Sequence, residues 1–125
     1  MHTGSCLCGA VRFQIEGDLA AADACHCGQC RRQSGHISVS TDVPRAQLTI
    51  YGTDRLTWYR ASAHARRGFC SVCGSQLFWE PLGQDWIAVS MGAFDPPTGT
   101  RIARHIHVAD KGDYYEIADT LCQSA

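Results

Sequence analysis

Cys6-Leu7-Cys8-Gly9-Ala10-Val11-Arg12-Phe13-Gln14-Ile15 joins a Cys-x-Cys turn directly to an alternating run. Val11, Phe13 and Ile15 are apolar, and Arg12 and Gln14 between them are polar. A period of two is the signature of a strand with one buried face. Cys-x-Cys spacing lets two sulfurs of one tight turn face a common point, as a thiolate-bound metal requires. The same union recurs at Cys70-Ser71-Val72-Cys73-Gly74, which leads into the β-prone Gln76-Leu77-Phe78-Trp79. Gly9 and Gly74 follow the second cysteine of each pair and suit the left-handed backbone that closes such a knuckle.

Working outward, short β-prone segments dominate. Leu48 and Ile50 mark a strand closed by Tyr51-Gly52, and Leu56-Thr57-Trp58-Tyr59 another. Pro81 ends the segment after the second knuckle. Trp86-Ile87-Ala88-Val89-Ser90-Met91 has the more continuous apolar character of a buried strand. His105-Ile106-His107-Val108 and Tyr114-Tyr115-Glu116-Ile117 complete the expected set. Turn signals at Gly17-Asp18, Thr53-Asp54, Gly83-Gln84-Asp85 and Asp95-Pro96-Pro97 separate the segments. No long stretch has a helical period; the alanine-rich residues 19–23 are a candidate for a single helical turn. The expectation is an all-β fold with metal knuckles in its connections, forming one domain over residues 1–125.

A third group, Cys25-His26-Cys27-Gly28-Gln29-Cys30, brings the clustered cysteines to seven of eight. A closed tetrahedral zinc site takes four ligands, which leaves three for a site with an open position, the arrangement of catalytic zinc. The first and last pairs both lead into strands, which favours Cys6, Cys8, Cys70 and Cys73 as the closed set and Cys25, Cys27 and Cys30 as the local one. The competing set, Cys6 and Cys8 with two of the middle group, leaves Cys70 and Cys73 without partners. Disulfides between Cys-x-Cys neighbours are strained. A redox Cys-x-x-Cys usually opens a helix in a thioredoxin-like βαβ pattern, which is not apparent around these groups.

Composition narrows the function classes. The formal net charge is −1, so nothing resembles the basic footprint of a nucleic-acid binder. No apolar stretch approaches the ~20 residues of a membrane span. The cysteine pair follows Met1-His2-Thr3-Gly4-Ser5 with no apolar leader, so a reducing cytoplasm is the expected compartment. The expected partners are small molecules, with no nucleic acid and no membrane.

These motifs resemble the glutathione-dependent formaldehyde-activating enzyme family, which includes centromere protein V-like members. The resemblance runs through residues 4–13, 25–35 and 67–77, then Gly92-Ala93-Phe94-Asp95-Pro96-Pro97 and residues 105–111. Departures are Tyr114, where the family tends to have tryptophan, and an ending without the proline and terminal aromatic often seen there. The resemblance implies an all-β fold of the folded-over β-tent type and two zinc ions per chain. It implies a structural zinc on Cys6, Cys8, Cys70 and Cys73 and a catalytic zinc on Cys25, Cys27 and Cys30. The implied activity is that of a carbon–sulfur lyase, S-(hydroxymethyl)glutathione synthase, with glutathione as co-substrate and formaldehyde as electrophile.

Three thiolates make a zinc ion a weak Lewis acid, poorly suited to ionising water. A substrate thiol is the better fourth ligand, held as a nucleophilic thiolate beside an aldehyde. Arg31 and Arg32 follow the third ligand and are candidates for a glutathione carboxylate, against the plainer reading of a solvated pair offsetting the cluster's charge. His26, between two ligands, is expected to support the site rather than bind metal. His105 and His107, two apart on an expected strand, are expected to share a face at its edge or surface. Tyr51, Trp58, Tyr59, Trp79 and Trp86 are read as core or pocket walls, and Cys122 as a bystander. The alternative to an enzyme is a non-catalytic, zinc-stabilised binding module; long basic or proline-rich extensions would favour it, and none is present.

Overall fold

The alternation at residues 11–15 folds as expected in the computed structural model, which describes all 125 residues. Strand β2 (Arg12–Ile15) lies between β1 (His2–Ser5) and β5 (Leu48–Tyr51), antiparallel to both, in a small sheet. Eight strands make the second sheet: β3 (Ala22–Cys25), β4 (Ser38–Pro44), β6 (Leu56–Arg60), β7 (Ala65–Cys70), β8 (Gln76–Pro81), β9 (Trp86–Ser90), β10 (Ile102–Ile106) and β11 (Cys122–Gln123). Their order is β11-β10-β3-β4-β9-β8-β7-β6. Pairing is antiparallel except where β10 meets β3 and β11. The fold is all-β with one short helix, α1 (Gly28–Ser34), and no helix is long and apolar enough to cross a membrane.

The core lies where the small sheet covers one face of the large one. Val11, Phe13 and Ile15 point inward and are buried. The Phe13 ring meets Phe78 and Phe94 edge-on, with centroids 5.7 and 5.2 Å apart, the offset geometry that aromatic quadrupoles favour. Val43, Ile87 and Val89 come from the same face of β4 and β9. The alternate residues, among them Trp79, Ala88 and Ser40, point to the opposite face, where a cavity forms. Gly68 on β7 has no side chain because Trp58 lies over it: a Cβ there would come within 2.9 Å of the indole.

Several segments differ from their sequence reading. Residues 19–23 form no helical turn; β3 begins at Ala22, and Ala22 and Ala24 are completely buried while Asp23 and Cys25 face the other way. Burial of two small side chains against neighbouring strands outweighs alanine's helical preference. Residues 114–117 are not a strand: Tyr114 and Tyr115 sit in an irregular segment whose rings pack on His36 and His26. Strand β10 ends at Ile106, and His107 takes a left-handed conformation, φ 55°. His105 and His107 therefore do not share a face; His105 is buried and His107 turns into the cavity.

Glu80 closes the core's polar edge. It is 5% exposed and accepts hydrogen bonds from Arg66 Nε, at 2.6 Å, and from Arg45. Burial raises its pKa, but the two arginines outweigh that and hold it below the ordinary carboxylate value. A depressed folded-state pKa contributes stability above the unfolded carboxylate pKa, and this is lost as pH falls through the folded value. Glu80→Gln should destabilise the protein by about 1–2 kcal/mol at pH 7, a modest loss because both arginines reach solvent. Denaturant titrations should show that difference shrinking on acidification below the ordinary carboxylate range.

Candidate active site

Seven sulfurs gather in two groups, Cys6/Cys8/Cys70/Cys73 and Cys25/Cys27/Cys30, each with all its ligand atoms within 4.8 Å of one another. No group combines Cys6 and Cys8 with the middle cysteines, and Cys122 is exposed and belongs to neither. In the first group Cys6 Sγ is 3.7 Å from Cys8 Sγ, and Cys8 Sγ is 3.8 Å from Cys70 Sγ. A tetrahedron with Zn–S bonds of ~2.3 Å has edges of ~3.8 Å, so this donor set fits zinc in size and chemistry. The knuckle glycines Gly9 and Gly74 have φ of 81° and 79°. Backbone N–H groups of Val11 and Val72 donate to the Cys6 and Cys70 sulfurs. Burial opposes ionisation of Cys6, and the Val11 bond, with those to neighbouring cysteines, outweighs it and lowers the Cys6 pKa. The group ties the end of β1 to the β7–β8 turn, two regions more than sixty residues apart in sequence.

The second group is built by the passage from β3 into α1. Cys25 is the last residue of β3. Cys27 caps the helix, its Sγ accepting from the Cys30 N–H, and Cys30 lies in the first turn. The Cys27–Cys30 pair thus does open a helix, but between antiparallel β3 and β4 rather than in a parallel βαβ unit. Gly35, φ 86°, ends the helix with its N–H on the Arg31 carbonyl. As bare thiols, Cys30 is lowered to about 5, chiefly by its hydrogen bond with Cys25 and further by Arg67, while the same bond and burial raise Cys25.

Cys25, Cys27 and Cys30 open onto a cavity of about 460 Å³, within the ~300–1,000 Å³ of small-molecule sites. Its floor is the face of the large sheet turned away from the core. Trp79 and Trp86 form an aromatic wall, their ring centroids 5.8 Å apart. Arg67, 4% exposed on β7, lies beneath α1 and donates to Gln33 at 2.9 Å and weakly to Cys30 Sγ at 3.6 Å. Its Nε is buried without a partner.

The other expected residues fall in different places. Arg31 and Arg32 do not line this cavity. Arg32 borders an adjoining concavity that shares Gln29 and Arg67 with it, and Arg31 lies on the side of Tyr115. His26 is 1% exposed and joins a hydrogen-bonded chain: Nδ1 to the Tyr115 hydroxyl, and Nε2 to His105 Nδ1 at 2.8 Å. His105 Nε2 in turn meets Asp119 at 2.9 Å. This chain anchors the ligand loop to the C-terminal segment. Sequence reading missed Arg67, His107, Asp23, Asp42 and Arg104 as cavity residues. The available signal was period-two spacing: Asp23 stands two residues before Cys25 and so shares its face.

Comparison with known proteins follows the same outline. A family model described as glutathione-dependent formaldehyde-activating enzyme matches residues 1–110. A Halomonas elongata protein provisionally named a glutathione-dependent formaldehyde-activating enzyme is 30% identical, with 91% of this chain and 79% of that protein covered. A Schizosaccharomyces pombe protein named an uncharacterized lyase is 22% identical, with 94% and 86% covered. The crystal structure of a Rhodobacter sphaeroides protein, 23% identical, superposes with a TM-score of 0.66 over 80% of this chain and 98% of that one, a likeness of fold.

The contrast between a group that joins distant segments and one that is local predicts different mutant behaviour. A structural zinc contributes an apparent ~10–16 kcal/mol in small finger peptides, against ~5–15 kcal/mol of net stability for a whole domain. Cys6→Ser or Cys73→Ser should leave the chain unfolded or aggregated by circular dichroism. Cys27→Ser should retain the fold, with metal analysis showing loss of metal from the second group alone. Equal unfolding of both kinds of mutant would refute the division.

Proposed function

The chain belongs to the glutathione-dependent formaldehyde-activating enzyme family, and we propose that it joins the thiol of glutathione to formaldehyde to give S-(hydroxymethyl)glutathione. The observation that carries this reading is the convergence of three sulfurs at one cavity wall with no fourth histidine, cysteine or carboxylate in the group. Cys6, Cys8, Cys70 and Cys73 would hold one zinc ion as a structural tie, and Cys25, Cys27 and Cys30 a second. When bound at the three sulfurs, zinc supplies the positive charge that keeps a substrate thiol ionised at neutral pH.

The chain's own residues do the rest. The cavity holds the substrate sulfur and the aldehyde together, and this proximity is the main gain. The sulfur attacks the carbonyl carbon; a carbon–sulfur bond forms, the π pair moves to oxygen, and that oxygen takes the proton the thiol has given up. Trp79 and Trp86 exclude bulk water from one side. Arg67 offsets the negative charge of the sulfurs through Cys30. His107 follows Ile106, the cross-strand neighbour of Cys25, and lines the cavity. It is the cavity's imidazole and delivers the proton to the new alkoxide. Arg32, at the adjoining concavity, receives the glycine carboxylate of glutathione, and Arg31 adds positive charge on the same helix.

NMR exchange rates between hydrated formaldehyde and S-(hydroxymethyl)glutathione test this reading. Zinc-loaded protein should accelerate the exchange over the uncatalysed rate, and His107→Ala should slow it tenfold or more, with thiol affinity unchanged. No acceleration, together with no thiol binding at cobalt-substituted protein, would favour the non-catalytic binding module. Arg32→Ala should weaken glutathione a few-fold by calorimetry, as an exposed arginine contact does. It should leave γ-glutamylcysteine, which lacks the glycine, unaffected.

A further inference from the structure

Sheet register, rather than closeness in sequence, lines up charges along the cavity floor. Asp23 stands two residues before Cys25 on β3; Arg104 is its neighbour on β10 and Ser40 its neighbour on β4. Asp42 lies two residues further along β4, opposite Ala88 of β9. Same-face residues of a strand are spaced by about 6.7 Å, so Arg104 and Asp23 stand about 7 Å from the level of Cys25, and Asp42 about 13 Å. All three line the same cavity as the sulfurs.

These charges are not a closed surface network. Arg104 grips Asp23 through Nε and Nη2, at 2.6 and 3.0 Å, and its Nη1 makes no bond within the chain. Asp42 makes neither a hydrogen bond nor an ion pair with the chain and faces the opening. Burial, then Asp23, raise its pKa, and Arg104 only partly opposes this, so its carboxylate lacks a counter-charge. One cation with a free donor, on β10, and one unpaired anion, on β4, thus line the same cavity on either side of Asp23, offset by one same-face step along the sheet.

We propose that this end of the cavity is a subsite for a zwitterionic α-amino-acid head, its ammonium on Asp42 and its carboxylate on Arg104, so that the thiol is selected by its γ-glutamyl arm. This rests on the reading that a substrate thiol binds at the three sulfurs. From sulfur to α-carbon a γ-glutamyl arm is about as long as two extended residues, ~7–8 Å, which matches the step from the Cys25 level to Arg104. A head of two opposite charges satisfies both groups at once. A lone carboxylate would meet Asp42 and Asp23 as well as Arg104, and like charges held together are disfavoured. The cavity therefore reads the γ-glutamyl end, and the glycine end passes to the concavity at Arg32.

Calorimetry on the full zinc-loaded chain decides this with four thiols: glutathione, γ-glutamylcysteine, glutathione acetylated on its γ-glutamyl amine, and N-acetylcysteine. Absorbance of the cobalt-substituted protein reports binding at the sulfurs. Glutathione and γ-glutamylcysteine should bind within a few-fold of each other, and acetylation of the amine should weaken binding about tenfold, the effect of one charged hydrogen bond. Asp42→Asn should weaken both head-bearing thiols by about the same factor, without further effect on acetylated glutathione and without effect on N-acetylcysteine. Arg104→Gln should act in the same direction. Because Asp42 makes no bond within the chain, Asp42→Asn should keep the wild-type unfolding midpoint. Thiols that bind but are indifferent to Asp42→Asn, or all weakened equally, would overturn the subsite and leave the thiol reading standing. Absence of any thiol binding would overturn both.

Discussion

The tie that the rest of the structure depends on is the convergence of four sulfurs, Cys6, Cys8, Cys70 and Cys73, within 4.8 Å. A three-stranded sheet of four-residue strands buries little surface by itself. Pinned at the end of β1 to the β7–β8 turn, it lies over the large sheet, and Phe13 is brought against Phe78. The core is thus assembled by a polar, metal-fitting contact at its edge as much as by burial at its centre. For a chain of this size, whose burial on folding is modest, such a staple is the usual remedy.

Once one face of the large sheet is committed to the core, its other face is free for function. Strand geometry then does the positioning. Alternation sends Phe78 and Val89 inward and Trp79 and Ala88 outward, so each strand that contributes to the core also contributes to the cavity. Cys25, Asp23, Ser38, Ser40 and Asp42 share the outward face through antiparallel pairing of β3 and β4. Helix α1 closes the cavity by bringing Cys27 and Cys30 over Arg67. A hydrogen-bonded chain from exposed Asp119 through buried His105 and His26 to Tyr115 holds the cysteine loop from behind. The three open sulfurs are therefore mounted on a strand end and a helix start.

Where period and chemistry agreed, the chain was legible. The segments read as strands at residues 11–15, 48–51, 56–59, 76–79 and 86–91 fall on β2, β5, β6, β8 and β9, with Val11 just before β2, Met91 just after β9, and β8 running on to Pro81. Strand β7 escaped notice because Arg66 and Arg67 interrupt any apolar alternation; one pairs with Glu80 and the other is buried beneath α1. Strand β3 looked helical because alanine is small enough for either state, and only its neighbours decide. Residues 114–117 looked like a strand because tyrosine and isoleucine favour one, yet the two tyrosine rings are engaged by histidines and no strand partner lies beside them.

The sequence by itself determined the local cysteine clusters, because Cys-x-Cys and Cys-x-x-Cys are spacings that a tight turn brings to a point. That the first and last pairs meet was read from both leading into strands, and the long-range packing of the two sheets brings it about. The sequence also determined the all-β character, through period-two alternation, and the family, through five ordered segments. Only the tertiary structure decided what surrounds the three open sulfurs. Asp23, Asp42, Arg67, Arg104 and His107 come from β3, β4, β7, β10 and the turn after β10, and no local pattern links them. Their meeting depends on strand order and register, which are set by long-range pairing and by which face of each strand the core has claimed.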